Sequence, residues 1–134
     1  MSYFLGIPAA FALIFGSDYL IHGVLLKSVY AATASVWRPE TEMIEMIRYM
    51  AAGQALFAVS FCCLFLKMTS GKTAGFRVGI SFGFWVGLML AAGNLIWYSV
   101  LPVPVMLAVK WCGYSFLQMT VLGGILGSLV LMLS

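Results

Sequence analysis

The chain has 134 residues, 63% of them hydrophobic and 8% charged, where soluble domains carry about 25% charged residues. A soluble fold of this length could not hide that much apolar surface, which places the sequence among integral membrane proteins. Seven Lys or Arg against four acids give a net charge of +3, too few and too scattered for a nucleic-acid surface, so the expected partners are the lipid bilayer, further copies of the chain or other membrane subunits, and no nucleic acid.

Four apolar stretches stand out, each near or above the roughly 20 residues that cross a bilayer. The expected fold is an all-α integral membrane protein. It is a single-domain four-transmembrane-helix bundle with spans at 3–26, 49–66, 78–101 and 105–133. The N-terminus does not read as a removable signal, because it lacks a basic n-region and a small-residue cleavage pattern. Within the first span lies Gly16 to Lys27, GSDYLIHGVLLK, which carries Asp18 and His22. Four residues apart, these two share a face on a helix. A carboxylate inside a membrane helix costs about 2.5–3.5 kcal/mol on insertion scales, so polar partners on other helices are expected to offset it.

Residues 27–48 form the longest connection and hold all three glutamates. Trp37 there reads as an interface anchor. Arg38-Pro39-Glu40-Thr41-Glu42 reads as a helix start, with proline in the first turn and acids at the positive end of the dipole. An interfacial helical segment is therefore expected before the second span, with Arg38–Glu42 and Glu45–Arg48 as ion pairs. Gln54 is the only strongly polar residue inside that span. The loop 67–77, KMTSGKTAGFR, holds three basic residues and no acid. The positive-inside rule places it in the cytoplasm with both termini, and the 27–48 segment outside. Lys27, Arg38, Arg48 and Lys110 weigh on the opposite side. The localisation expected is a bacterial inner membrane.

Gly75, Gly79, Gly83 and Gly87 recur every fourth residue into the third span, and Ala91 continues the line. Such a smooth ridge lets another backbone approach closely. Leu101-Pro102-Val103-Pro104 is a tight turn, since each proline blocks helix continuation. The last span has small-residue steps of its own, from Gly123 to Gly127 and from Gly124 to Ser128. Two readings of these ridges stand side by side: packing of the third helix on the fourth, and a seam between copies of the chain.

Because the spans alternate in direction, Asp18, His22, Gln54 and Asn94 all fall toward the half next to the Glu-bearing loop and the LPVP turn. Glu42, Glu45, Arg48, Lys110 and Gln118 are loop-side contributors to this polar intramembrane cluster. Three roles are open to it: a hydrogen-bond network that fixes packing, a site for a small polar ligand or ion, and proton transfer. Asp18 and His22 are expected to point into the bundle, to bond to each other or through water, and to meet Gln54 or Asn94.

Several chemistries are set aside. His22 is the only histidine, so a haem between two histidines is excluded, while a single axial ligand is not. The acids around His22 match no zinc spacing, and neither GxSxG nor a phosphate-binding glycine loop is present. Cys62, Cys63 and Cys112 lack CxxC spacing and read as small embedded hydrophobes. No metal and no cofactor is expected.

The stretch Asn94 to Gly127, NLIWYSVLPVPVMLAVKWCGYSFLQMTVLGGILG, resembles a broad group of small bacterial four-helix membrane proteins known only as a domain of unknown function. Gly16, Tyr19 and Trp37 fill further places of that pattern, whereas Asp18 and His22 depart from it. The resemblance implies the four-helix fold and no activity. Small multidrug exporters are similar in length and span count and carry a glutamate in helix one. Asp18 is the only candidate counterpart, and the rest of their pattern is missing. The reading is a small non-enzymatic membrane protein that acts as an oligomer or accessory subunit. The alternative is a proton- or ion-coupled carrier or channel using Asp18 and His22, and the third is a cofactor protein with His22 as axial ligand.

Overall fold

In a computed structural model, residues 2–70 and 73–133 are described, and they are helical almost throughout. Helix α1 spans Ser2–Asp18 and runs directly into a π-helical segment, Tyr19–Leu25. The segment is closed by an i→i+5 bond from the Leu26 N–H to the Ile21 carbonyl, 2.9 Å. A short helix α2, Lys27–Ala32, and a 3₁₀ turn, Ala34–Val36, follow. Helix α3 spans Glu40–Met68, α4 Phe76–Val100 and α5 Val105–Leu133. The segment Leu5–Leu25 and helices α3, α4 and α5 are each long and apolar enough to cross a membrane.

Local chemistry sets the ends of these elements. Pro39 is extended and cannot donate, but its carbonyl accepts the Met43 N–H at 3.0 Å, so α3 begins one residue later with Glu40 and Glu42 in its first turn. The Arg38–Glu42 pair forms at 3.6 Å with both side chains largely exposed, where such pairs contribute little. Arg48 does not take Glu45 but lies over the Tyr49 ring, 5.0 Å from its centre. Pro102 and Pro104 hold the chain in a tight reversal, with the Val103 N–H on the Leu101 carbonyl at 2.8 Å. The basic loop between α3 and α4 includes Gly71 and Lys72, which lie outside the described residues.

The closest interface is between α4 and α5, while α1 packs on α3 and α5. Gly79, Gly83 and Gly87 are buried against α5, where Gly123, Gly127, Met119 and Phe116 supply the facing backbone. This glycine line is therefore filled from within the chain. Gly75 precedes α4 in extended backbone and approaches Gly127. Between α3 and α4 the contact is made by side chains, with the Phe61 and Phe65 rings on Phe82 at 4.9 and 5.4 Å.

Two apolar cores result. One joins Ala10, Ile14, Ala58, Phe61, Cys62, Phe65, Met119, Leu122 and Leu126. The other lies around Ile21, Leu26, Val103 and Leu107, with Tyr30, Trp37, Trp111 and Tyr114 packed against it. Helix α3 belongs to the first only. Its residues 40–53 are almost all exposed, while Ala58, Phe61, Cys62 and Phe65 are buried. It thus leaves the other helices toward its N-terminus, and a space opens between the two cores.

Candidate functional site

That space is a cavity of about 490 Å³ walled by α1 with its π segment, α3, α4 and α5. All four residues expected to cluster line it: Asp18, His22, Gln54 and Asn94. So does Gln118, expected as a loop-side contributor. Gln54 stands halfway along α3 and Gln118 near the middle of α5. Their amide nitrogens grip the Asp18 carboxylate from opposite sides, Gln54 Nε2 donating to Oδ2 at 2.6 Å and Gln118 Nε2 to Oδ1 at 2.7 Å. Gln118 Nε2 also donates to Ser17 Oγ at 2.7 Å, and the Ser17 hydroxyl donates to the Leu13 carbonyl. Asp18 is thereby tied to two helices beyond its own.

Asp18 and His22 do not bond to each other. The π segment begins at Tyr19, directly after Asp18. Its i→i+5 bonding widens the turn, so the fourth residue along no longer stands over the first. His22 Nδ1 instead meets the Tyr30 hydroxyl at 2.6 Å, and the two rings stack with centres 5.9 Å apart. Trp111 Nε1, a donor only, gives its proton to the same hydroxyl at 2.8 Å. Burial raises the Tyr30 pKa, against the opposing pull of the Trp111 bond, so the phenol keeps its proton. Trp37 packs edge-on against Tyr30 and Trp111, at 5.3 and 6.1 Å, and donates to Thr33 Oγ1 at 2.9 Å. Trp37 thus belongs to the second apolar core.

Tyr30 and Trp111 were not legible as site residues, because their bond joins positions 81 apart and no local pattern marks it. Replacing Tyr30 by phenylalanine should lower stability by about 1–3 kcal/mol, since the Trp111 N–H and His22 Nδ1 both lose a partner. Unfolding in mixed micelles with increasing dodecyl sulfate measures this, and an unchanged midpoint would show that the hydroxyl holds nothing together.

Asn94 lines the same cavity without touching Asp18. Its Nδ2 donates to the Trp111 carbonyl at 3.2 Å and to Ser115 Oγ at 3.0 Å. The remaining loop-side residues lie elsewhere: Glu42 pairs with Arg38, Arg48 covers Tyr49, Glu45 is exposed, and Lys110 is half-buried outside the cavity lining. Among the described residues, no three His, Cys, Asp or Glu side chains stand together as metal ligands. Cys62 lies in the first apolar core, and the Cys112 thiol donates to the Ala91 carbonyl at 3.3 Å.

The polar atoms have a common orientation. Carboxylate and carbonyl oxygens can only accept, so their partners fix the amide groups of Gln54, Gln118 and Asn94 with nitrogen toward Asp18 or the Trp111 carbonyl. Both N–H groups of Gln118 and of Asn94 are thus spent on the walls, and one of Gln54's on Asp18. Acceptor capacity remains on Asp18, on the Asn94 side-chain oxygen and on Gln54 Oε1, which is buried with no hydrogen-bond partner. No protein-family profile, curated protein or solved structure matches this chain.

Proposed function

We propose that this is a non-enzymatic multi-pass membrane protein that binds a small cation with N–H donors inside its cavity, as a carrier or channel centred on Asp18. The observation that carries this reading is the one-sided use of the amides. Three side-chain amides turn their nitrogens to the walls, while a carboxylate and an unpartnered Gln54 Oε1 are left as acceptors. A buried acceptor without a partner costs roughly 1–3 kcal/mol, and a ligand that donates to it recovers that cost. The carboxylate supplies charge where low dielectric makes attraction strong. His22, held by its bond to the Tyr30 hydroxyl, serves to orient the ligand or to relay a proton.

The test uses the full chain in phosphatidylcholine nanodiscs, titrated with ethylammonium and with ethanol as its uncharged comparator. Trp97 and Trp111 line the cavity, so tryptophan fluorescence should change saturably with ethylammonium and not with ethanol. The same response to both, or to neither, would refute a cation site.

The exposed half of α3 favours a second reading, that of a subunit in a homo-oligomer or larger membrane complex. Met43, Ile44, Ile47 and Met50 are all exposed there. Cross-linking of a cysteine placed at Ile44 in native membranes should capture a neighbouring protein; monomers alone would leave lipid as the cover of this face.

For orientation in a bacterial inner membrane, the reading is that both termini and the 67–77 loop are cytoplasmic, from the basic residues of that loop. Alkaline phosphatase fused after Ser134 should be inactive and a fluorescent protein there bright. The reverse pattern would invert the topology.

A further inference from the structure

The cavity is too large for the ion alone. A water molecule occupies about 30 Å³ of liquid, whereas this space measures about 490 Å³ and is lined by Phe57, Leu90, Trp97 and Met119 as well as by polar groups. Three residues of its lining, Gly53 on α3, Trp97 on α4 and His22 on the π segment, are exposed. They lie on the side where the N-terminal half of α3 is exposed, and their placement points to a lateral opening through the bundle wall.

Gly53 is the unexpected member of that trio. A glycine within a helix costs about 0.5–1 kcal/mol relative to alanine, and Gly79, Gly83 and Gly87 offset this by close backbone packing. Gly53 packs against nothing, since no neighbouring atom lies within 4 Å of where its Cβ would be. Its missing side chain leaves space at the cavity lining and does nothing for the contact between helices.

From this we infer that the ligand is a single-chain amphiphilic amine taken from the bilayer, its ammonium reaching the Asp18 acceptors while its hydrocarbon chain crosses the opening beside Gly53. This rests on the cation site proposed above and adds the ligand's apolar part and its route. Hydrocarbon can then remain in lipid or against Phe57 and Trp97 while only the charged end enters the polar chamber.

The experiment compares ethylammonium with dodecylammonium in nanodiscs for the wild type, Gly53→Ala, Gly53→Leu and Asp18→Asn. Ratios between proteins cancel the amphiphile's partition into lipid. Gly53→Leu should weaken dodecylammonium by about tenfold or more, as expected when a few methylene groups lose their place. The same variant should leave ethylammonium within about twofold, with Gly53→Ala lying between. The open space around the Cβ lets either variant fold. Unchanged dodecylammonium affinity in Gly53→Leu overturns the lateral route and leaves the cation site standing. Binding of both amines that survives Asp18→Asn overturns the cation site, and the amphiphile with it.

Discussion

Gly83→Leu should drive α4 and α5 apart, with the largest loss of stability of any single change at this interface. A Cβ at Gly83 would fall onto the Met119 carbonyl and lie 2.9 Å from the Thr120 Cα. At Gly87 it would lie 2.8 Å from the Phe116 carbonyl oxygen, and at Gly79 it would meet the Gly123 carbonyl. These obstacles are backbone, which cannot swing aside as a side chain can. Ordinary overpacking costs about 1–3 kcal/mol. Gly83→Ala should reach the upper part of that range, and leucine should exceed it because the helices must separate along several turns. The reciprocal positions, Gly123 and Gly127, face the Gly79 and Gly75 carbonyls and should behave alike.

Gly93 and Gly113 provide the control. Nothing lies within 4 Å of a Cβ at either, so alanine there should be neutral or stabilising by up to about 1 kcal/mol. Dodecyl sulfate unfolding of the three alanine variants, at Gly83, Gly93 and Gly113, would separate the two groups. Gly83→Ala unfolding together with Gly93→Ala would mean that close backbone approach contributes nothing here.

The glycine line was legible because its four-residue period survives translation into any α-helix, and so was the LPVP turn, where proline chemistry is local. The start of α3 followed from Pro39 and the acids after it for the same reason. The site was legible only in outline. Asp18, His22, Gln54 and Asn94 do share one cavity, yet the expected Asp18–His22 contact depended on α-helical geometry that ends at Asp18. A π segment uses the same residue types as an α-helix, so YLIHGVL carries no signal of its own. Gln118 was expected only as a contributor alongside Lys110, because depth along a span says nothing of azimuth. The α5 face that meets Asp18 is set by how Gly79, Gly83 and Gly87 seat α5 on α4. Likewise Lys27–Ala32, read as part of a connection, is a helix whose Tyr30 closes the cavity.

Asp18→Asn should fold and yet lose most of the affinity for cations. Asn keeps one acceptor, but its NH₂ would face a second amide donor in the present arrangement, either Gln54 Nε2 or Gln118 Nε2. Gln54 can resolve this by turning over, which brings Oε1, now without a partner, onto the new donor. Gln118 is less free, because Ser17 already accepts from its nitrogen. Removal of a charge from an apolar setting relieves desolvation, so the net change in stability should stay within about 1 kcal/mol. Asp18→Ala is a harsher change. It deprives both amides of their acceptor and should cost about 1–3 kcal/mol more than asparagine. Binding follows a different order, because both variants lack the charge. A charge-assisted hydrogen bond contributes about 1.5–3 kcal/mol, so ethylammonium affinity should fall by roughly 10- to 100-fold in either. A purely structural network would show the stability order and no binding to lose. Wild-type affinity retained in a well-folded Asp18→Asn protein would leave Asp18 as a clasp between α1, α3 and α5, with no part in recognising a ligand.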